Sequence, residues 1–122
     1  MRPLVLACSL LITSLAAASP VHFSFVRSVP EAKQKLTESP KRLQTWFSEA
    51  PSAGVSRLVL VRGTTEIKIG KTVIVGAEKS MYAEPVQPLE PGSYTLTWKA
   101  AGDDGHALSG EIAFTVAPPG RP

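Results

Sequence analysis

Alternation of apolar and polar residues near the carboxyl end limits this chain to folds built from β-strands. In GSYTLTWKA (residues 92–100) and GEIAFTV (residues 110–116), every second residue is large and apolar. These residues are Tyr94, Leu96, Trp98, Ile112, Phe114 and Val116. Successive side chains of a strand point to opposite faces, so this period of two gives each strand one apolar face. The two segments predict a pair of strands, with Trp98 and Phe114 at the centre of the core.

Shorter segments of the same kind precede this pair and are separated by turn residues. They are HFSFVRS (22–28), RLQTWFSE (42–49), VSRLVLVR (55–62), TTEIKI (64–69) and KTVIV (71–75). Gly70 joins the last two and predicts a hairpin, whereas the weak periodicity of EAKQKLTE (31–38) allows a helical turn at most. We therefore predict an all-β fold, a small antiparallel Greek-key β-sandwich or barrel of about seven strands.

Residues 1–18 have the pattern of a cleaved signal peptide. Arg2 precedes the apolar run PLVLACSLLITSLAA, and small alanines follow it. The run is too short for a stable membrane span. We expect an exported protein with one β-sandwich domain over residues 19–117 and a flexible tail over 118–122. Cleavage is expected after Ala18, with a second candidate position after Val21.

Charge and cysteine content exclude several classes of function. The 13 Lys and Arg residues exceed the 10 Asp and Glu residues by a net charge of only +3. The basic residues are scattered, without the aromatic-interleaved stripe that nucleic acid requires, so no nucleic-acid partner is expected. No later segment predicts stable membrane insertion. Cys8 is the single cysteine and lies in the predicted signal peptide, which excludes disulfides and thiol chemistry in the processed chain.

The chain contains two histidines, and one of them lies in the predicted loop between the last two strands. Asp104 and His106 flank Gly105, so a turned backbone can direct both side chains to one point. His22 stands before the first predicted strand and can reach the same end of a sandwich. Imidazole and carboxylate donors suit Cu(II) and, to a lesser degree, Ni(II) or Zn(II). The residues alone leave two interpretations open, a metal site and an ordinary exposed turn.

Three stretches resemble the bacterial CopC copper-resistance proteins, including PcoC. HFSFVRSVPEA (22–32) is similar to the family's opening, in which a histidine starts the processed chain. LEPGSYTLTWKAAGDDGHALSGEIAFTV (89–116) is similar to its closing hairpin, and LQTWFSEAPSAGVSRLVLV (43–61) resembles its second and third strands more loosely. The closing hairpin is the specific part of the resemblance.

The resemblance implies a periplasmic Cu(II)-binding protein with a cupredoxin-like β-sandwich. It assigns the metal ligands to His22, Asp104 and His106, with the free α-amine of the first residue as a fourth ligand. The ligand is then the copper ion, and the candidate protein partners are an inner-membrane copper transporter or another periplasmic copper protein. The implied function is to sequester or deliver Cu(II) in copper resistance or homeostasis, without enzymatic activity.

Two departures from the family pattern narrow this expectation. Cleavage after Ala18 would place the α-amine three residues before His22, and Pro20 has no N–H to replace it. Some relatives also hold Cu(I) in a methionine-rich loop, but this chain retains only Met81 after processing. We expect Met81 to be a packing residue. We therefore expect the protein to be of the Cu(II)-only type. Two alternatives remain: a β-sandwich interaction module that has lost full copper binding, and, ranked last, a histidine-brace copper oxidase.

Overall fold

The computed structural model describes residues 22–118, which form a sandwich of two β-sheets. The nine strands are β1 (Phe25–Val29), β2 (Lys35–Leu36), β3 (Leu43–Phe47), β4 (Arg57–Arg62), β5 (Thr65–Ile67), β6 (Val73–Val75), β7 (Ser80–Ala83), β8 (Gly92–Ala101) and β9 (Ala107–Val116). One sheet has the strand order β1-β3-β7-β6, and the other has the order β2-β9-β8-β4-β5. The predicted all-β sandwich is confirmed. The predicted signal peptide and residues 119–122 of the predicted tail lie outside the described residues.

Two of the nine strands that the structure describes, β2 and β7, were not predicted from the sequence. β2 has only two residues and pairs in parallel with Thr115 and Val116 of β9, so it has no alternation to detect. β7 lies between β3 and β6 and is buried at three of its four residues, so it lacks the alternation of buried and exposed positions that marks a half-buried strand. A short 3₁₀-helix, Gly76–Glu78, precedes it. No helix in the range 22–118 is long and apolar enough to cross a membrane.

The predicted hairpin around Gly70 is wrong. β5 pairs with β4 in one sheet, whereas β6 pairs with β7 in the other. The chain therefore crosses between the sheets at Gly70, whose N–H donates to the Glu84 carbonyl oxygen at 2.7 Å. Periodicity identified both strands, but it contains no information about which partner a strand will choose.

The hairpin of β8 and β9 is confirmed and forms the centre of the larger sheet. Its register is unbroken from Gly92 opposite Val116 to Ala101 opposite Ala107. One face of this pair closes the core together with Leu43, Phe47, Leu60 and other buried residues. The loop of the hairpin lies at the end of the sandwich where β1 begins and β3 ends.

Trp98 and Phe114 are both buried but belong to different parts of the core. Phe114 stacks on Tyr94 with ring centroids 5.5 Å apart. Trp98 stacks on Phe25 at 5.5 Å and meets Phe47 edge-on at 5.3 Å. The aromatic cluster around Trp98 therefore supports the end of the sandwich that carries the loop between β8 and β9.

Met81 is fully buried, in agreement with the packing role expected for it. It lies in β7, opposite Thr45 of β3 and Ile74 of β6. Its thioether therefore belongs to the core and is not presented at the surface.

Candidate metal site

The loop Gly102–His106 joins β8 to β9 and carries two of the three predicted ligands. Gly105 has a φ of +75°, a left-handed conformation that residues with a Cβ rarely adopt. Its N–H donates to the Gly102 carbonyl oxygen at 3.1 Å, which closes the turn. The Asp104 carboxylate accepts a hydrogen bond from the His106 backbone N–H at 3.1 Å, and its other oxygen lies 3.4 Å from the His106 Nδ1. The turn therefore holds carboxylate and imidazole side by side.

Glu49, which sequence analysis did not select, supports the base of this loop. Its Oε1 accepts a hydrogen bond from the Asp103 backbone N–H at 3.0 Å. The carboxylate also lies over the buried Gly102, where an added Cβ would clash with it and come within 2.9 Å of the Phe23 ring. The residues Glu49 and Asp103 are 54 positions apart, so no local pattern could have revealed the contact.

His22 is held at the same end of the sandwich by the residues that follow it. Phe23 is buried and stacks on Phe47 with ring centroids 4.9 Å apart. The Ser48 hydroxyl donates to the His22 carbonyl oxygen at 3.1 Å and accepts from the Ser24 N–H at 2.9 Å. The Ser48 N–H in turn donates to the Ser24 carbonyl oxygen at 2.8 Å. The backbone of His22 is thus tied to the end of β3 before its side chain enters any site.

A single surface pocket brings the three predicted ligands together. It is lined by His22, Phe23, Asp104, His106 and Leu108. The imidazole of His106 is 88% exposed and the Asp104 side chain 51% exposed. In their present rotamers, no three His, Cys, Asp or Glu side chains within residues 22–118 are close enough to hold a metal ion. The pocket therefore places the donors on one surface, and their exposed side chains would have to change rotamer to converge on an ion.

The donor set of this pocket is two imidazoles and one carboxylate. Each neutral imidazole offers one nitrogen lone pair, and an ionised carboxylate offers two oxygens. This mixture of nitrogen and oxygen donors suits Cu(II) first and Ni(II) or Zn(II) less well, whereas Ca²⁺ and Mg²⁺ favour oxygen-only sites. The residues present therefore fit a borderline divalent transition-metal ion.

The family of this chain is identified by its similarity to known proteins. The family model described as the CopC domain matches residues 25–117. The chain belongs to the CopC domain family. The match begins three residues after His22, so it includes Asp104 and His106 but does not reach His22.

Two relatives of this CopC-domain chain cover nearly its whole length. Copper resistance protein C of Escherichia coli is 30% identical over 114 residues, which cover 87% of this chain and 90% of that protein. Protein YobA of Escherichia coli strain K12 is 29% identical over 120 residues, which cover 94% of this chain and 95% of that protein. The resemblance seen in the sequence is confirmed.

Solved structures show the same fold. The crystal structure of PcoC, a methionine-rich copper resistance protein from Escherichia coli, matches with a TM-score of 0.67 and 29% identity, covering 78% of this chain and 98% of that chain. CopC from Methylosinus trichosporium OB3b matches with a TM-score of 0.74 at 22% identity, covering 82% of this chain and 98% of that chain. The second likeness concerns the fold alone.

Proposed function

We propose that this CopC-domain chain binds Cu(II) through His22, Asp104 and His106. It sequesters or delivers the ion in copper resistance or homeostasis, outside the cytoplasm. The observation that carries the proposal is the pocket shared by these three residues, of which His22 precedes β1 and the other two lie in the loop between β8 and β9. The relatives named as copper resistance proteins support copper as the ion.

The sequence and the donors favour Cu(II) over Cu(I). Cu(I) prefers soft thioether and thiolate ligands. Within residues 22–118 the one methionine is Met81, which is fully buried in the core. The relative PcoC is described as methionine-rich, and this chain differs from it in having two methionines in 122 residues. The pocket therefore offers imidazole and carboxylate to Cu(II) and no thioether to Cu(I).

Each part of the pocket has a separate task in holding the ion. The turn at Gly105 keeps Asp104 and His106 adjacent, so ordering one of them on the metal also orders the other. Ser48 and Phe23 hold the backbone of His22 in place, which lowers the entropy lost when its imidazole binds. The apolar side chains of Phe23 and Leu108 form part of the wall of the pocket.

The chain start determines the fourth donor. If the processed chain begins at His22, its α-amine and imidazole belong to one residue and chelate together, because an amine with a pKa of about 8 releases its proton readily to Cu(II). If it begins at Ser19, the amine is three residues away and Pro20 has no N–H to deprotonate. In that case the site has three protein ligands and binds more weakly.

Cu(II) titration of the exported protein, followed by visible absorption and electron paramagnetic resonance, tests the proposal. We expect one tight site, lost in His106→Ala and strongly weakened in Asp104→Asn. Asp103→Asn is the matched control, because it removes the neighbouring carboxylate and leaves the Asp103 N–H bonded to Glu49. Unchanged binding in His106→Ala, with the fold intact by circular dichroism, would refute the site. The absence of a tight Cu(II) site in the natural chain would favour the interaction module.

The mass of the exported protein, measured before and after one equivalent of Cu(II), identifies the chain start. The nitrogen hyperfine pattern of the bound Cu(II) then counts nitrogen ligands. Three nitrogens with a chain that starts at His22 support coordination by the amine, and two with a chain that starts at Ser19 support the three-ligand site. We propose a holding rather than a catalytic site, and copper-dependent consumption of oxygen with a reductant would instead support the oxidase alternative.

A further inference from the structure

Two arginines of the smaller sheet lie over aromatic rings. The strand register places Arg27 of β1 opposite Trp46 of β3, and the Arg27 guanidinium carbon lies 3.6 Å from the centroid of the Trp46 ring. Arg42 directly precedes β3, and its guanidinium carbon lies 3.7 Å from the centroid of the Tyr82 ring in β7. Both pairs are at cation–π distance. A guanidinium has five N–H donors, and contact with a ring leaves them available for hydrogen bonds.

The strand register also shows which residues share this side of the sheet. Successive side chains of a strand point to opposite faces, and the neighbours of Trp46, Thr45 and Phe47, are buried. Trp46 therefore points outward. The residues that face or alternate with it form two rows across the four strands, Arg27–Trp46–Ser80–Val75 and Val29–Gln44–Tyr82–Val73. We call these eight residues, together with Arg42, the arginine–aromatic face.

The arginine–aromatic face presents apolar side chains to solvent. Val29 is 45% exposed and Val73 is 41% exposed, and they stand at the two ends of one row. The two aromatic rings are partly exposed. The polar residues between them are buried, and the Gln44 Nε2 donates to the Ser80 hydroxyl oxygen at 3.0 Å. The accessible surface of the face therefore consists of aliphatic and aromatic groups next to guanidinium groups.

The charged residues of the arginine–aromatic face are both cations. Arg42 pairs with Glu84, just beyond the end of β7, at 3.3 Å. Arg27 forms no ion pair within residues 22–118. The nearby carboxylate of Glu78 accepts a hydrogen bond from Gln44 at 3.4 Å. Charge complementarity therefore calls for an anionic partner opposite Arg27.

We propose that the arginine–aromatic face docks on a bilayer surface that contains anionic phospholipid. Tryptophan and tyrosine suit the boundary between water and lipid, because each has an apolar ring and a polar group. Guanidinium N–H groups match the geometry of phosphate oxygens. The exposed Val29 and Val73 side chains add apolar area, on which surface binding depends together with electrostatic attraction. The lipid phosphate supplies the counter-ion that Arg27 lacks within the described residues.

Docking through this face leaves the candidate metal pocket accessible. The face is the outer side of β1, β3, β7 and β6, whereas the pocket lies at the end of the sandwich, beside the loop between β8 and β9. None of His22, Asp104 and His106 belongs to the face. The docking proposal goes beyond copper binding and does not depend on it, so failure of one proposal would leave the other untouched.

Cosedimentation of the metal-free exported protein with lipid vesicles tests the docking proposal. The vesicles contain equal parts of phosphatidylethanolamine and phosphatidylglycerol, and vesicles of phosphatidylcholine are the neutral reference. We expect binding to the anionic vesicles that weakens as salt is raised, and little binding to the neutral ones. The partition coefficient should fall roughly fivefold in Arg27→Gln, because one cation near an anionic surface contributes about that factor.

The matched control is Arg57→Gln, which makes the same change of charge on the outer side of the larger sheet. Arg57 is exposed in β4 and next to the buried Leu58, so its loss should leave the partition coefficient unchanged. Tryptophan fluorescence provides a second measurement. Emission should shift to shorter wavelength on anionic vesicles, and Trp46→Phe should abolish the shift, because the remaining Trp98 is already buried.

Three results would overturn the proposal. Absence of binding to anionic vesicles at low salt would refute the lipid surface and would leave an acidic protein as the occupant of the face. An equal loss in Arg57→Gln would attribute binding to net charge rather than to this face. Equal binding to neutral vesicles would show that attraction between Arg27 and anionic lipid plays no part. Circular dichroism of each variant establishes that the fold is intact.

Discussion

Replacing Ser48 by alanine should loosen the first described residues and weaken copper binding without changing any proposed ligand. The Ser48 hydroxyl makes two hydrogen bonds to residues 22–24, one to the His22 carbonyl oxygen and one from the Ser24 N–H. The Ser48 N–H to Ser24 carbonyl bond and the packing of Phe23 on Phe47 remain in the variant. The substitution therefore removes the side-chain hydrogen bond to His22 and keeps the backbone bond of Ser24 and the packing of Phe23.

The expected magnitude follows from these two bonds. A hydrogen bond contributes a net ~0.5–1.5 kcal/mol, and the lower half of this range applies because both bonds are at exposed positions. The free energy of unfolding should fall by about 1 kcal/mol, which lowers Tm by roughly 4–8 °C for a domain of this size. Copper binding must then order the loosened segment, and the affinity should fall by up to about tenfold.

The measurements are a thermal melt of the metal-free protein and a Cu(II) competition titration. Ser48→Thr keeps the hydroxyl and is the matched control, which should retain most of the affinity. An affinity in Ser48→Ala equal to that of the natural chain, together with a lowered Tm, would show that His22 does not contribute to the metal site. An unchanged Tm would refute the role assigned to the two hydrogen bonds.

Two further predictions concern the residues that support the site. Gly110→Ala places a Cβ 2.7 Å from the Trp98 indole, so overpacking should lower stability by ~1–3 kcal/mol in urea unfolding. Gly76→Ala, where nothing lies within 4 Å of the added Cβ, should cause little change, and an equal loss there would contradict the clash. Glu49→Ala should lower copper affinity more than Glu49→Gln in the same titration, because the amide oxygen of glutamine can still accept from the Asp103 N–H. An equal loss in the two variants would show that the carboxylate charge, which both remove, matters more than this bond.

Most strands of this fold could be predicted from local sequence, because apolar and polar residues alternate in a half-buried strand. The pair β8 and β9 was predicted with its loop, since each strand alternates over its length and the turn residues lie between them. The same reasoning failed at Gly70, where two neighbouring strands belong to different sheets. A strand pattern states that one face is apolar, but the pairing of strands is decided by which partners close the common core.

Some residues of the candidate site could likewise be predicted from the sequence, and others could not. Asp104 and His106 could be identified from the sequence because they are two residues apart and flank a glycine that the turn requires, with a φ of +75° at Gly105. Glu49 and Ser48 could not be identified, because their contacts with the loop and with His22 join residues far apart in the chain. A serine and a glutamate are ordinary residues at the end of a predicted strand, so neither residue type indicates a role in a site.

Residue order was enough to predict that this protein is built from β-strands, that its last two strands form a hairpin, and that the hairpin loop carries a carboxylate and an imidazole. These properties depend on residues that are close in the chain. They are therefore visible in the alternation of side chains and in the backbone preferences of single residues. The pocket shared by His22 and that loop, and the contacts by which Glu49 and Ser48 hold its two halves in place, became apparent only from the folded structure. These properties depend on how the two sheets pack. Packing brings together residues that are far apart in the chain, and such contacts leave no local pattern in the sequence.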